Sequence, residues 1–170
     1  MFETLKVIDF AIFEKIHAAV VRSTFATTFA WAFHYAAVGV FVVACLAYLY
    51  SHRAERKHVY VIVASAPLAY LLSRLIGFIH FRPRPFVTLN FVPLVNESPL
   101  SKSFPSSHTI VAFAVASAIY SYNKKWGLIA LVLAACIGIG RVLVGVHYPS
   151  DVLAGAVLGV LVSWLVKRFV

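Results

Sequence analysis

The stretch from Ser103 to Asp151 begins with the letters SFPSSH (103–108) and ends with RVLVGVHYPSD (141–151). Between these polar ends lie two apolar segments, which the turn Asn123-Lys124-Lys125 joins. If both segments are helices that run out and back through a membrane, His108 and His147 lie at the same end of the bundle. The stretch therefore predicts a cluster of polar side chains at one end of a helical membrane protein.

The composition of the chain also indicates a membrane protein. Of its 170 residues, 62% are hydrophobic and 12% are charged, which is more apolar surface than one water-soluble core of this size can hide. In a soluble protein the net charge of +9 would indicate nucleic-acid binding. Here we interpret it as loop charge that sets topology, together with arginines that bind an anionic substrate, and we expect no nucleic-acid partner.

Hydropathy along the chain predicts an all-α, polytopic transmembrane bundle that forms one domain over residues 1–170. Residues 1–22 are expected to form an amphipathic helix in the membrane interface, because moving their charges into hydrocarbon would cost ~2.5–3.5 kcal/mol each. Five predicted spans follow, at about residues 24–50, 58–81, 107–122, 126–146 and 149–166. Glycines in the last two spans, including Gly155 and Gly159, permit close helix packing.

The segment 82–105 separates the second and third spans and contains five prolines. We expect an ordered surface loop beside the polar cluster, because proline restricts the backbone and loops often carry functional side chains. Three basic segments would then lie on the opposite side of the membrane: the loop 51–57, the turn at Lys124 and Lys125, and the end at Lys167 and Arg168. The positive-inside rule places that side in the cytoplasm and the polar cluster outside.

The polar cluster contains the elements of an anion site. Ser106 is suited to cap the helix that follows it, and the first N–H groups of a helix attract anions. Arg141 lies inside a predicted span, where an arginine normally faces a partner or a wet cavity, and its planar donors fit phosphate oxygens. Arg84 would supply a second guanidinium. Arg74 and Arg82 are possible accessory residues.

His147 and Asp151 are four positions apart with Pro149 between them, so the last helix is expected to begin at Pro149. Asp151 can then reach one imidazole nitrogen and leave the other as a nucleophile. His108 is the second imidazole and is suited to protonate a leaving oxygen. Because one carboxylate lies near and the arginines would repel a cation, we expect neither a metal nor another cofactor.

These residues resemble the signature motifs of the type 2 phosphatidic acid phosphatase superfamily, whose site is shared with vanadium haloperoxidases. The resemblance covers about residues 77–155 and rests on Arg84-Pro85, on Pro105 to His108, and on Arg141, His147 and Asp151. It implies that His147 forms a phosphohistidine, that Asp151 orients it and that His108 is the general acid. It further implies that phosphate is bound by Arg84, Arg141, Ser106 and Ser107.

The chain departs from these motifs at three positions. Gly77 stands where a lysine is usual, Ser107 where a glycine is usual and Gly140 where a serine is usual. A missing lysine together with a run like Pro83 to Phe86 is similar to the bacitracin-resistance type of undecaprenyl diphosphate phosphatase, a bacterial cell membrane enzyme. The resemblance therefore implies undecaprenyl diphosphate as substrate. Phosphatidylglycerophosphate, phosphatidate and lipid A 1-phosphate are alternatives, and so is a non-catalytic protein that binds anionic lipids.

Overall fold

A computed structural model describes residues 2–52 and 55–170 of the chain. This part of the chain is built from seven helices and their connections. The helices are α1 (Phe2–Val21), α2 (Thr24–Ser51), α3 (Arg56–Ile79), α4 (Pro85–Thr88), α5 (Ser107–Tyr122), α6 (Lys124–Leu143) and α7 (Pro149–Phe169). The predicted all-α bundle is confirmed.

The outer helices present an apolar surface to their surroundings. Helices α2, α3, α6 and α7 are each long and apolar enough to cross a membrane. Large apolar side chains project outward from them, among them Phe25 (81% exposed) and Phe78 (89% exposed). A water-soluble protein does not leave so many large apolar groups in contact with water. The chain is therefore an integral membrane protein.

Helix α5 lies at the centre of the bundle, packed against α3, α6 and α7. Its 16 residues rise ~24 Å, which is less than the ~30 Å hydrocarbon core, so its crossing of the membrane stays a prediction. Small residues let α7 approach it closely. A Cβ on Gly155 would lie 3.1 Å from the Ser106 carbonyl oxygen, and one on Gly159 would lie 2.5 Å from that of Ile110. The close packing predicted for these two glycines is confirmed.

Both boundaries of α6 differ from the predicted ones, so the connection before it is shorter and the connection after it is longer. Helix α6 begins at Lys124, so Asn123 alone separates it from α5, because the Asn123 side chain caps α6 by accepting the Trp126 N–H at 3.1 Å. The same helix ends at Leu143, three residues before the predicted end at 146. Gly145 adopts a φ of +85°, in the left-handed region that a glycine enters without strain, and turns the chain toward α7.

The segment 82–105 is not purely a surface loop. It contains the one-turn helix α4, and its residues Val95, Lys102 and Ser103 are buried. Backbone hydrogen bonds fix it to the other connections at this end of the bundle. Ser103 donates to the Arg82 carbonyl (2.8 Å), Leu94 to that of Val144 (3.1 Å) and Ser106 to that of Asp151 (3.2 Å). These bonds bring the three polar segments to one end, as the sequence predicts.

Helix α1 packs against this polar end through Asp9 and Phe13, which are both buried. The apolar side chains of α1 do not all face the bundle, since Val7 (67%) and Ile12 (44%) are exposed. An interfacial helix would keep its charges on the outer face, but Asp9 turns inward because Arg82 pairs with it at 2.7 Å. The interfacial position of α1 stays a prediction.

Candidate active site

The start of α5 provides backbone donors at the polar end. Ser106 is the N-cap residue, as predicted, but its side chain makes no capping bond to the helix. Its hydroxyl instead accepts the Thr109 hydroxyl at 3.0 Å. The Ser107 hydroxyl lies 2.9 Å from that of Ser73 on α3. Because no side chain caps the first turn, its N–H groups are available to an anion, which the helix dipole also attracts.

His147 lies between α6 and α7 and is 2% exposed. Nη1 of Arg84 lies 3.2 Å from Nε2 of His147. A guanidinium has only donors, so Nε2 accepts this bond and the neutral ring carries its proton on Nδ1. Nδ1 faces the Ser103 hydroxyl at 3.5 Å and Oδ2 of Asp151 at 3.6 Å. The lone pair of Nε2 therefore points toward the arginine side of the site.

Asp151 is fully buried in the first turn of α7, which begins at Pro149 as predicted. Oδ2 accepts the Ser103 hydroxyl at 2.5 Å and the Tyr148 backbone N–H at 2.9 Å, whereas Oδ1 accepts Nη1 of Arg82 at 2.7 Å. Nη2 of Arg82 donates to Asp9, and Cζ of Arg82 lies 3.9 Å from the centroid of the Tyr148 ring. Arg82 thus holds Asp151 in place and does not face the phosphate donors.

Arg84 and Arg141 converge on Glu97. Nη2 of Arg84 lies 3.3 Å from one carboxylate oxygen of Glu97, and Nη2 of Arg141 lies 2.7 Å from the other. Both arginines are buried, and Nε of Arg141 has no hydrogen-bond partner in the described part of the chain. A buried guanidinium N–H normally has an acceptor, so this donor indicates a place for a further anionic oxygen.

Burial sets the charge states of the groups in the connecting loops. It lowers the pKa of His147 to about 4, Arg141 and Arg84 act in the same direction, and Asp151 opposes them. Burial also lowers the pKa of Arg84 to about 10, against the attraction of Glu97. Burial alone would raise the pKa of Glu97, but Arg84 and Arg141 hold it below its ordinary value. Near pH 7 these three groups are therefore a neutral His147 imidazole, a charged Arg84 guanidinium and a Glu97 carboxylate.

His108 and Arg74 lie at the edge of this network. His108 makes no hydrogen bond or ion pair with the residues that the structure describes, and its ring lies 6.5 Å from the His34 ring. It lines an apolar cleft together with Ser107. Arg74 is exposed and lines a separate cavity beside Gly77. The structure thus joins His147 to Asp151 and Arg84 directly, and to Arg141 through Glu97.

Three partners in this network were missed by sequence analysis. Glu97 carried a usable signal, because it is the one acidic residue in a loop that lies next to candidate phosphate-binding arginines. Asp9 lies in the predicted interfacial helix, where an acidic residue indicates an outward-facing position and not a partner for Arg82. Ser103 carried no signal, since a single serine in an irregular segment has no period from which its direction can be inferred.

Comparison with known proteins agrees with this geometry. Residues 59–170, more than half of the chain, match the family model described as the PAP2 superfamily. The chain is 30% identical over 162 residues to the undecaprenyl-diphosphatase BcrC of Bacillus subtilis (strain 168), and the match covers 95% of this chain and 83% of that protein.

Two further proteins are similar. The bacitracin transport permease protein BcrC of Bacillus licheniformis is 44% identical over 103 residues, which cover 61% of this chain and 50% of that protein, so the match spans about half the length of that relative. The crystal structure of LpxE from Aquifex aeolicus superposes with a TM-score of 0.74 at 28% identity and covers 93% of each chain. The family that the motifs predicted is confirmed, and this chain belongs to the PAP2 superfamily.

Proposed function

We propose that this protein is a membrane phosphatase that hydrolyses a polyprenyl diphosphate, such as undecaprenyl diphosphate, to the monophosphate. The observation that carries the proposal is the placement of His147 between two kinds of partner. Asp151 and Ser103 lie at Nδ1, and a phosphate-binding guanidinium lies at Nε2. A structural histidine has no need of this polarity, whereas a nucleophilic imidazole requires it.

In the first step, Nε2 of His147 attacks the terminal phosphorus, and the bond from that phosphorus to the bridging oxygen breaks. His108 gives its proton to the departing oxygen, so that the polyprenyl monophosphate leaves. Asp151 stabilises the proton that stays on Nδ1 while the ring becomes positively charged. The product is a phosphohistidine, and the mechanism uses no metal.

In the second step, water attacks the phosphorus, and the P–N bond breaks. His108, which lost its proton in the first step, takes one from this water. Inorganic phosphate leaves, and His147 returns to its neutral state. Throughout both steps Arg84, Arg141 and the first-turn amides of α5 face the non-bridging oxygens, where charge accumulates in the transition state.

A cleft of about 290 Å³ supports a lipid substrate. Apolar side chains of α2, α3, α5 and α6 line it, and Ser107 and His108 lie on its wall. The apolar lining consists of Val38, Phe41, Val42, Tyr70, Val111, Ala112 and Ile137. A hydrocarbon tail in this cleft would place its phosphate beside the proposed general acid.

The likeness to an undecaprenyl-diphosphatase that aligns with 95% of this chain supports the diphosphate as substrate. The distribution of Lys and Arg supports an extracytoplasmic site in a bacterial cell membrane, because Lys124, Lys125, Lys167 and Arg168 lie at the helix ends opposite His147.

The test compares the wild type with His147→Asn in detergent, using undecaprenyl diphosphate, phosphatidylglycerophosphate, phosphatidate and lipid A 1-phosphate side by side. We expect phosphate release from the diphosphate to be fastest. The variant should lose at least ~10³-fold in rate and form no acid-labile phosphoprotein, because the nucleophile is gone. Faster release from another lipid would reassign the substrate. Equal rates for variant and wild type would exclude His147 as nucleophile, and binding without turnover would indicate a non-catalytic protein.

A further inference from the structure

Lys102 lies beside the candidate active site, and no step of the proposed mechanism uses it. The residue is 8% exposed, and its Nζ donates to the Pro105 carbonyl at 2.8 Å and to the Ser107 hydroxyl at 3.3 Å. Ser107 is the first residue of α5, so the ammonium group lies at the helix end where the proposed phosphate site begins.

The Lys102 ammonium lacks a counter-ion. Among the residues described by the structure, none of the ion pairs contains Lys102. Burial lowers its pKa to about 8, the charges of Arg74 and Arg84 act in the same direction, and Asp151 opposes them. A buried cation that faces other cations is stabilised when an anion binds between them.

The path of the Lys102 side chain depends on Gly77. A Cβ built on Gly77 would overlap Cδ of Lys102 and would lie 2.5 Å from its Cε. The lysine stem therefore fills the space into which any side chain at position 77 would project. Position 77 is also the place where the resembling motifs carry a lysine. The missing side chain at position 77 therefore leaves the space that the Lys102 side chain occupies.

We propose that Lys102 is a phosphate-binding residue that supplies, from the 82–105 segment, the cation that position 77 lacks. Gly77 provides the space that lets the ammonium group reach the start of α5. The lysine would donate a charged hydrogen bond to a phosphate oxygen beside the Ser107 hydroxyl. This inference rests on the proposed phosphatase function, because it assigns one more group to the same phosphate site.

The first test measures inhibition by inorganic phosphate and turnover of a polyprenyl diphosphate for Lys102→Met. A lost charged hydrogen bond predicts ~10- to 100-fold weaker inhibition by phosphate and a similar fall in kcat/KM. Lys125→Met removes the same charge from an exposed position next to Trp126, at the opposite end of the bundle, and is expected to match the wild type. Equal phosphate affinity in Lys102→Met and Lys125→Met would overturn the proposal.

The second test moves the lysine. In Gly77→Lys/Lys102→Ala the new lysine enters the space that the Lys102 side chain has left. Inhibition by phosphate, weakened in Lys102→Ala, should therefore return most of the way to the wild-type level in the double variant. Gly77→Lys alone places two stems in one channel and should bind phosphate more weakly than the double variant. A merely structural role for Lys102 predicts no recovery in the double variant, and that result would also overturn the proposal.

The two proposals fail in distinguishable ways, because phosphate binding by the wild type can be measured calorimetrically without turnover. Binding of inorganic phosphate that depends on Lys102, in a protein that hydrolyses no lipid phosphate, would remove the proposed function and leave this inference standing. Hydrolysis by the wild type with unchanged phosphate binding in Lys102→Met would do the reverse.

Discussion

At the scale of single residues, Asp151 connects the His147 imidazole to the rest of the site. Its two oxygens bind Ser103, the Tyr148 amide and Arg82, and each of these bonds fixes the carboxylate relative to Nδ1 of His147. A carboxylate held in this way selects the tautomer in which Nε2 is unprotonated. The orientation proposed for His147 therefore depends on Ser103, Tyr148 and Arg82 as well as on Asp151.

Asp151→Asn should lower kcat by ~10²–10⁴-fold with little change in KM, because an amide can stabilise the wrong tautomer and cannot neutralise the charged ring. Steady-state kinetics on the diphosphate substrate measure this. Asp9→Asn is the matched control, since Asp9 binds the same Arg82 but not His147. If the two variants lost the same factor, Asp151 would be acting only as an anchor for Arg82.

Glu97 occupies the space between Arg84 and Arg141, where phosphate oxygens would bind. The Glu97→Gln variant should bind inorganic phosphate more tightly, by ~3- to 10-fold, because the competing negative charge is removed while the shape is kept. Competitive inhibition by phosphate measures the change. Glu55→Gln, an exposed carboxylate at the other end of the bundle, serves as the control. Weaker inhibition in Glu97→Gln would show that the carboxylate positions the arginines for phosphate.

At the scale of elements, the contact between α5 and α7 determines whether the two histidine-bearing segments meet. Gly159→Ala should lower the free energy of unfolding by ~1–3 kcal/mol, because the new Cβ would lie 2.5 Å from the Ile110 carbonyl and 2.9 Å from the Ala114 nitrogen. Both atoms belong to the α5 backbone and cannot rotate away. Thermal denaturation in detergent, followed by circular dichroism, measures the loss.

Gly39→Ala is the matched control for this prediction. Nothing lies within 4 Å of a Cβ at position 39, and alanine favours the helix by up to ~1 kcal/mol over glycine. This variant should therefore be as stable as the wild type or more so. Equal melting temperatures for Gly159→Ala and Gly39→Ala would mean that α7 can move away from α5 without loss of stability.

Helices α2, α3, α5, α6 and α7 were predictable from sequence because each is an apolar segment with a polar or proline-containing boundary. Pro149 determines where α7 begins, and that position places Asp151 near His147. The 82–105 segment has no such period, so the burial of Lys102 could not be inferred from it. The capping bond expected from the Ser106 side chain is absent, and its hydroxyl instead accepts a hydrogen bond from Thr109.

At the scale of the whole molecule, the apolar cleft extends from α2 to Ser107 and His108 at the start of α5. Val42→Trp fills the cleft and should raise KM for a long-chain polyprenyl diphosphate about tenfold, which corresponds to ~1.4 kcal/mol or the burial of about two methylenes. KM for a short-chain diphosphate should change little, because its tail does not extend as far along the cleft.

The control for this prediction is Val43→Trp. Val43 is adjacent in α2 and is 66% exposed, but it does not line the cleft. It adds the same bulk to the outer surface of the bundle and should leave KM unchanged for both substrates. An equal rise in KM for Val42→Trp and Val43→Trp would mean that the tail binds elsewhere.

The contact of Asp9 with Arg82 has a consequence for handling the protein. Harsh detergents bind the exposed apolar side chains of α1 and can displace this helix from the bundle. Displacement removes Asp9 from Arg82, the residue that holds Asp151 in place. Turnover would then disappear while far-ultraviolet spectra still looked native. Purification in lipid nanodiscs should keep α1 in place. It therefore avoids a preparation that is helical by circular dichroism but inactive.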